Sequence, residues 1–339
     1  MKEITTIGVD LAKNVFTIHC NSQDGATVLR KKTNRKELMT FVATHASCLI
    51  GMESSNGSHY WARKFKEYGH DVKIMPPQYV KPYVKTNKND MSDAEAIAEA
   101  VTKPNMRFVP IKAPHQQDMQ VLHGIRSRLV GNRTALVNSI RGYLMERGIT
   151  IPQGISNICR KLPEILSNTT NELTDMLVKE LQFLYSEYRE LDIKVKEYDK
   201  RIEQLCKSDE SCARLLKIPG VGFLTASYVR AVIGNPNVFK NGRQFAAWVG
   251  LVPRQHSTGG KPRLLGISKR GDVYLRTLLI HGARNMVRYS DNKQDRLNMW
   301  VSRKLIKRGF NKTCVAVANK NARMIWAILA HGEEYKMVA

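Results

Sequence analysis

No window of the chain approaches the ~18 consecutive apolar residues of a membrane-spanning helix, so no transmembrane span is expected. The opening run Met1-Lys2-Glu3-Ile4 passes straight into a β-rich stretch, and no signal peptide is expected. Cysteine is sparse and scattered. Cys20, Cys48, Cys159, Cys206, Cys212 and Cys314 form no CxxC pair, which argues against zinc ligands and a disulfide framework and for the reduced thiols of a cytoplasmic protein. Acid is in shortest supply: 30 Asp+Glu stand against 54 Lys+Arg, a net charge of +24. A surplus of this size is the electrostatic footprint of a polyanion partner, nucleic acid foremost. A merely soluble basic surface and a membrane-surface binder are the competing explanations.

A chain of 339 residues has room for two or three domains with real cores. Hydrophobic patterning predicts strands at 4–9, 15–20, 26–32, 47–52 and 71–75, with helices near 35–45 and 58–68. Three successive strands, then helix, strand, helix, strand, is the chain order of an RNase H-like α/β domain, placed over residues 1–112. Residues 113–210 read as a helical, coiled-coil linker. A helix over 114–148 carries Leu122, Ile125, Leu129, Leu136, Ile140 and Leu144 on one side before Gly148 and Pro152 break it. After it, Leu177, Leu181, Leu184, Tyr188, Leu191, Val195, Tyr198, Ile202 and Leu205 follow a strict 4-3-4-3 spacing, a coiled-coil seam about 43 Å long at 1.5 Å per residue. Its partner is either helix 114–148 or another subunit, and self-association into a dimer or tetramer is the favoured expectation.

Residues 211–339 read as a separate all-α domain. Ile218-Pro219-Gly220-Val221-Gly222 has the form of a helix-hairpin-helix turn, in which Gly220 and Gly222 let the backbone amides of the second helix approach a phosphate. A plain helical turn is the competing reading. Basic residues then accumulate: residues 261–288 carry seven Lys/Arg (Lys261, Arg263, Lys269, Arg270, Arg276, Arg284, Arg288) against Asp272, and residues 302–323 carry seven more with no acid. Helical periodicity turns these charges into faces suited to phosphate backbone.

Against this basic background the acids stand out. The run Thr6-Ile7-Gly8-Val9-Asp10 ends a strand on a carboxylate, and Leu49-Ile50-Gly51-Met52-Glu53 repeats the arrangement. Asn89-Asp90-Met91-Ser92-Asp93-Ala94 opens a helix predicted over 92–103, with its two acids three apart on one face. Hard carboxylate oxygens brought together this way suit Mg²⁺ and in-line phosphoryl transfer. Singly, each acid is also explained as a surface or helix-capping residue. Lys13 is placed to contact phosphate or orient Asp10, whereas Tyr60 and Trp61 read as core or base-stacking residues. The Gly/Thr-rich phosphate hairpin that actin-like folds need after such an Asp is missing from Leu11-Ala12-Lys13-Asn14.

A second chemical segment runs from Ala247-Trp248-Val249-Gly250-Leu251-Val252-Pro253 through Ser257-Thr258-Gly259-Gly260-Lys261 to Ser268-Lys269-Arg270-Gly271. Hydroxyls among glycines and bases suit phosphate contact or nucleophilic attack on phosphorus, and an attacking serine needs activation and cations such as His256, Lys261 and Arg263. Both roles are open for Ser257 on local sequence.

Taken together, Gly8-Val9-Asp10-Leu11-Ala12-Lys13, Glu53 ahead of a Ser/Gly turn and Tyr60, Lys88-Asn89-Asp90-Met91-Ser92-Asp93-Ala94 and the C-terminal motifs resemble the DEDD transposases. These are the bridge-RNA-guided insertion-sequence recombinases, related to the pilin-gene invertases. The resemblance spans nearly the full length, with Asn89 where a Thr commonly stands. It implies Mg²⁺-dependent cleavage and rejoining of donor and target DNA through a covalent serine–DNA intermediate, by an oligomer assembled on a structured noncoding RNA. The family's acids fall on Asp10, Glu53, Asp90 and Asp93, and its nucleophile on Ser257, with Ser268 as second candidate. A hydrolytic RuvC-like nuclease or junction resolvase is the first alternative, a non-catalytic nucleic-acid scaffold the second.

Overall fold

The computed structural model describes residues 3–85, 89–292 and 294–336, which divide into two compact units, Met1–Pro114 and His115–Ala339. The first is a mixed α/β unit on a five-stranded sheet: β1 (Thr6–Asp10), β2 (Val15–Asn21), β3 (Thr27–Asn34), β4 (Leu49–Glu53) and β5 (Asp71–Met75). Spatial order is β3-β2-β1-β4-β5. The first three strands run antiparallel, while β4 pairs parallel with β1 and β5 parallel with β4. The helices are α1 (Arg35–Thr44), α2 (Ser58–Glu67), a short α3 (Pro77–Val80) and α4 (Asp90–Val101). Helix α1 starts on a reciprocal capping box between Asn34 and Glu37, which satisfies two otherwise orphaned backbone donors. Ile7, Val9, Phe16, Ile18, Ile50, Met52 and Trp61 are buried in one cluster. The central strands are apolar nearly throughout because they are covered on both faces.

The second unit is mostly helical: α5 (Pro114–Met145), α6 (Ile155–Ser167), α7 (Asp175–Ser208), α8 (Glu210–Leu216), α9 (Phe223–Val232), α10 (Gly242–Trp248), α11 (Val273–Arg288), α12 (Arg296–Arg308) and α13 (Phe310–His331), with one hairpin, β6 (Pro253–Thr258) and β7 (Lys261–Ile267). The segment expected as a linker thus belongs to the same compact unit as the C-terminal helices. The seam helix finds its partner within the chain. Arg126 and Arg133 of α5 bind Asp199 and Asp192 of α7, so residue numbers rise on one helix as they fall on the other and the pair is antiparallel. Every seventh residue of α7, Leu181, Tyr188, Val195 and Ile202, is buried. Of the other seam positions, Leu205 remains 45% exposed, as does the neighbouring Phe183 at 67%. Among the described residues no helix is long and apolar enough to cross a membrane.

Candidate active site

The carboxylates of β1 and β4 are brought side by side by strand register. In this parallel pair Gly8 stands opposite Gly51 and Val9 opposite Met52; Asp10 and Glu53 follow as the last residues of their strands. Asp10 is also opposite Thr17 of β2, and Thr17 opposite Lys32 of β3. Cross-strand partners project to the same face, so Glu53, Asp10, Thr17 and Lys32 form a row across one face of the sheet. The strands are buried up to this row, and Asp10 and Glu53 are the residues at which they open to solvent.

Two glycines bring the remaining acids there. Residues two apart in a strand share a face, so Gly8 and Gly51 lie on the side that carries Asp10 and Glu53. A Cβ on Gly8 would stand 2.3 Å from the carbonyl oxygen of Ala94 and 2.5 Å from the amide of Ala98, and one on Gly51 would stand 2.8 Å from Cβ of Val101. Helix α4 therefore lies directly on the sheet, and its first turn, with Asp90 and Asp93, meets the row of strand ends. The bond from Lys32 Nζ to Asp90 Oδ2 at 3.1 Å closes the arrangement. The helix starts two residues earlier than its periodicity predicts because Asn89 is the cap, its side chain accepting from the Ser92 amide at 2.8 Å. Capping is thus the work of Asn89, and neither Asp90 nor Asp93 is used for it. Lys88, which precedes the motif, lies outside the described residues.

Four carboxylates on one face are a hard-oxygen donor set of the kind Mg²⁺ takes. Among the described residues, no three His, Cys, Asp or Glu side chains converge closely enough to hold one ion. The donors match the ion in chemistry, and the structure shows them along one face without closing a site around an ion. Lys13 is exposed in the β1–β2 turn, next to this end of the sheet. Trp61 is a core residue, edge-on to Phe16 with ring centroids 5.0 Å apart, while Tyr60 lies half-buried under the Arg35 guanidinium. His59 accepts from the Lys112 amide at 3.2 Å; burial, with Lys112 and Arg63 nearby, lowers its pKa to about 4.

The serine segment forms the β6–β7 hairpin, which turns through Gly259 and Gly260 at φ 56° and 73°, the left-handed conformation that a two-residue hairpin loop requires. Almost every residue of both strands is exposed. Pairing places His256 opposite Arg263 and Thr258 opposite Lys261. Alternation therefore puts these four on one face and Ser257 on the other, where its hydroxyl accepts from Gln255 Nε2 at 2.8 Å. The cations expected to serve Ser257 from within the hairpin are on its far side. Ser268 lies at the hairpin base, its amide bonded to the Val252 carbonyl at 2.7 Å and its hydroxyl accepting from the Arg270 amide. Lys269 follows at φ 54°, the one described non-glycine residue with positive φ.

Two matches to transposase family models cover these elements. Residues 7–147 match a DEDD-type transposase domain, and residues 212–298 match the transposase IS116/IS110/IS902 family. The transposase for insertion sequence element IS1111A of Coxiella burnetii is 45% identical over 99% of this chain and 92% of its own length. The transposase for insertion sequence element IS1328 of Yersinia enterocolitica is 42% identical over 98% of each chain. The pilin gene-inverting protein of Moraxella lacunata is 24% identical over 75% of this chain and 74% of its own. The chain belongs to the IS116/IS110/IS902 transposase family.

As a member of that family it is an enzyme acting on DNA, and its DEDD-type domain points to dependence on a divalent metal. The DEDD match holds the whole sheet and α5; the second match holds the Pro-Gly-x-Gly turn, the hairpin and α11. In this transposase Gly222 is exposed at the start of α9 with nothing near its Cβ position, whereas Gly220 packs against α11, where a Cβ on Gly282 would come within 1.8 Å of the Gly220 carbonyl oxygen. Lys261, Arg263, Lys269 and Arg270 are exposed. Arg276, expected among the phosphate contacts, is buried instead; its Nη1 donates to the carbonyls of Val249 and Arg270 at 2.9 and 2.7 Å. It fastens the hairpin base to α11, because the Gly250 and Gly271 turns bring those carbonyls against the helix. Sequence reasoning passed over Gly8, Gly51 and Lys32. The glycines carried a signal, each two residues ahead of a strand-terminal acid, whereas Lys32 becomes meaningful only through three-strand register.

Proposed function

We propose that the first unit is an RNase H/RuvC-like nuclease fold and that this transposase cleaves and rejoins DNA through a covalent bond to Ser257. The observation that carries the reading is the face shared by Asp10, Glu53 and the first turn of α4, made by the contact of α4 with Gly8 and Gly51. Asp10, Glu53, Asp90 and Asp93 would hold Mg²⁺, which supplies charge stabilisation for a phosphoryl group in transfer. Lys32 orients Asp90. Ser257 Oγ forms a bond to phosphorus as the bond from phosphorus to a deoxyribose oxygen breaks; the serine proton leaves to a base, and the released strand end takes up a proton. Attack by a strand hydroxyl on the phosphoserine reverses both changes and restores the serine. The phosphodiester energy is kept in the adduct, so rejoining needs no external energy.

Gln255 is the neighbour of the Ser257 hydroxyl within the hairpin, and a carboxamide is no base. The activating group therefore comes from outside the hairpin, which supports a site completed by another element or by another chain. The half-exposed edge of α7 supports assembly as a homo-oligomer. The net charge of +24 suits backbone binding of DNA and of a structured guide RNA, with base pairing choosing the sites. Exposed Gly222, Lys261, Arg263, Lys269 and Arg270, with Lys13, are the proposed backbone contacts.

The test is a denaturing gel of protein incubated with end-labelled element DNA and Mg²⁺. A protein–DNA adduct is expected, absent in Ser257→Ala and present in Ser268→Ala. Free cleaved ends that persist in Ser257→Ala would instead establish the hydrolytic alternative, which the lack of a base beside Ser257 within the hairpin favours.

A further inference from the structure

Beside the hairpin base, the second unit carries a groove of about 1030 Å³ between α10, α12 and α13. Its cationic lining comes from Arg243, Lys312, Lys320 and Arg323, and among the described residues no Asp or Glu lines it. Its floor is apolar: Leu251, Val315, Ala316 and Met324, with the rings of Trp300 and Trp326. Trp326 is oriented by donating Nε1–H to the Pro236 carbonyl at 3.0 Å. Past Trp300 and Lys320 the groove continues into a second one lined by Arg296, Arg303 and Lys336. The acid there, Asp295, is engaged at the N-terminus of α12 by the amides of Leu297 and Asn298. Lys320 sits 4.7 Å from the Trp300 ring centroid. Burial, and then Arg323 and Arg296, hold its ammonium below the usual lysine range.

We propose that this double groove binds a single-stranded segment of nucleic acid, phosphates on its cationic rim and unstacked bases against Trp300 and Trp326. Contact with duplex backbone alone has no use for an apolar, two-tryptophan floor, whereas a strand with bases turned inward uses rim and floor together. A phosphate near Lys320 supplies the negative charge that this cluster of cations lacks. Pro253 and Ile267, a register pair at the hairpin base, line the same groove, so a bound strand leaves it beside the arm that carries Ser257. The inference concerns binding and does not rest on the Ser257 chemistry.

The test is fluorescence anisotropy of the full chain with labelled 12-nucleotide single-stranded DNA, single-stranded RNA and duplex DNA. Arg243, Lys312 and Arg323 are exposed, so the triple variant Arg243→Glu/Lys312→Glu/Arg323→Glu is expected to fold. It should bind single strands at least tenfold more weakly and lower the log–log salt slope by about 2, near 0.7 per lost phosphate contact. Trp300→Leu, with folding checked by circular dichroism, should weaken single-strand binding roughly 5- to 150-fold and spare duplex binding. Tighter binding of either single strand supports the proposal and identifies the source, DNA or RNA. Unchanged affinity and salt slope in the triple variant would overturn it, as would Trp300→Leu weakening duplex and single strands equally.

Discussion

A methyl group on Gly8 would press on the backbone of α4, 2.3 Å from the Ala94 carbonyl oxygen, and neither partner is a side chain that can swing away. Gly8→Ala is therefore expected to destabilise the first unit by about 1–3 kcal/mol, the usual range for overpacking, and to shift α4, which carries Asp90 and Asp93, away from the sheet. Adduct formation should fall further than the melting temperature explains, when both are measured on one preparation. Gly131→Ala is the matched control. That glycine lies in exposed α5 with nothing within 4 Å of its Cβ position, so the change should be neutral or stabilising by about 0.5–1 kcal/mol. The same contrast shows what single residues disclose. Both glycines read alike in sequence, but Gly8 precedes a strand-terminal acid by two, and the crossing helix gives it its function. Lys32 sits in a strand with no visible face preference, and only its pairing with Thr17 reveals what it serves.

At the scale of elements, His123 ties α5 to the C-terminal helices. Its imidazole lies 3.0 Å from the Ser227 hydroxyl of α9 and 3.3 Å from the Tyr274 hydroxyl of α11. Burial first, then Arg126, lowers its pKa to about 4. The folded pKa lies below the ordinary value near 6.5, so the neutral form is the one folding selects. Its contribution is whole above about pH 6.5 and declines as pH falls toward 4. By pH 5 the loss from this group is about 2 kcal/mol. His123→Gln should flatten that part of the decline in the urea midpoint between pH 7.5 and pH 5. Trp248, Trp300 and Trp326 report on this unit.

The strands and helices were largely legible because their periodicity survives burial: β2, β4 and β5 lie within two residues of their expected bounds. The partner of α7 was not legible, because a heptad pattern records an apolar seam without recording what covers it. Leu181 and Tyr188 of that seam are buried in one cluster with Val137, Ile140 and Leu144 of α5, and Phe183 remains 67% exposed beside them. If the exposed edge is an interface between copies, Phe183→Glu should lower the mass measured by light scattering while leaving the monomer's helicity unchanged.

For the molecule as a whole, the proposed serine chemistry raises the question of where Ser257 would obtain its activation. Strand alternation sets His256, Lys261 and Arg263 on the opposite face of the hairpin, a consequence of register that the amino-acid composition of the segment conceals. A two-stranded ribbon without a core is marginal by itself, and this one is held at its base by Arg276 and by the Ser268–Val252 bond. If, as proposed, the exposed arm completes a site with the carboxylates, and these belong to another copy, each site draws its acids and its serine from different chains. Asp10→Ala protein and Ser257→Ala protein should then each be inactive alone. Mixed in equal amounts, they should form adducts at a fraction of the wild-type yield, because intact acids of one chain can meet the intact serine of the other. No adduct from a mixture shown by light scattering to contain mixed oligomers would place both halves of the site within one chain.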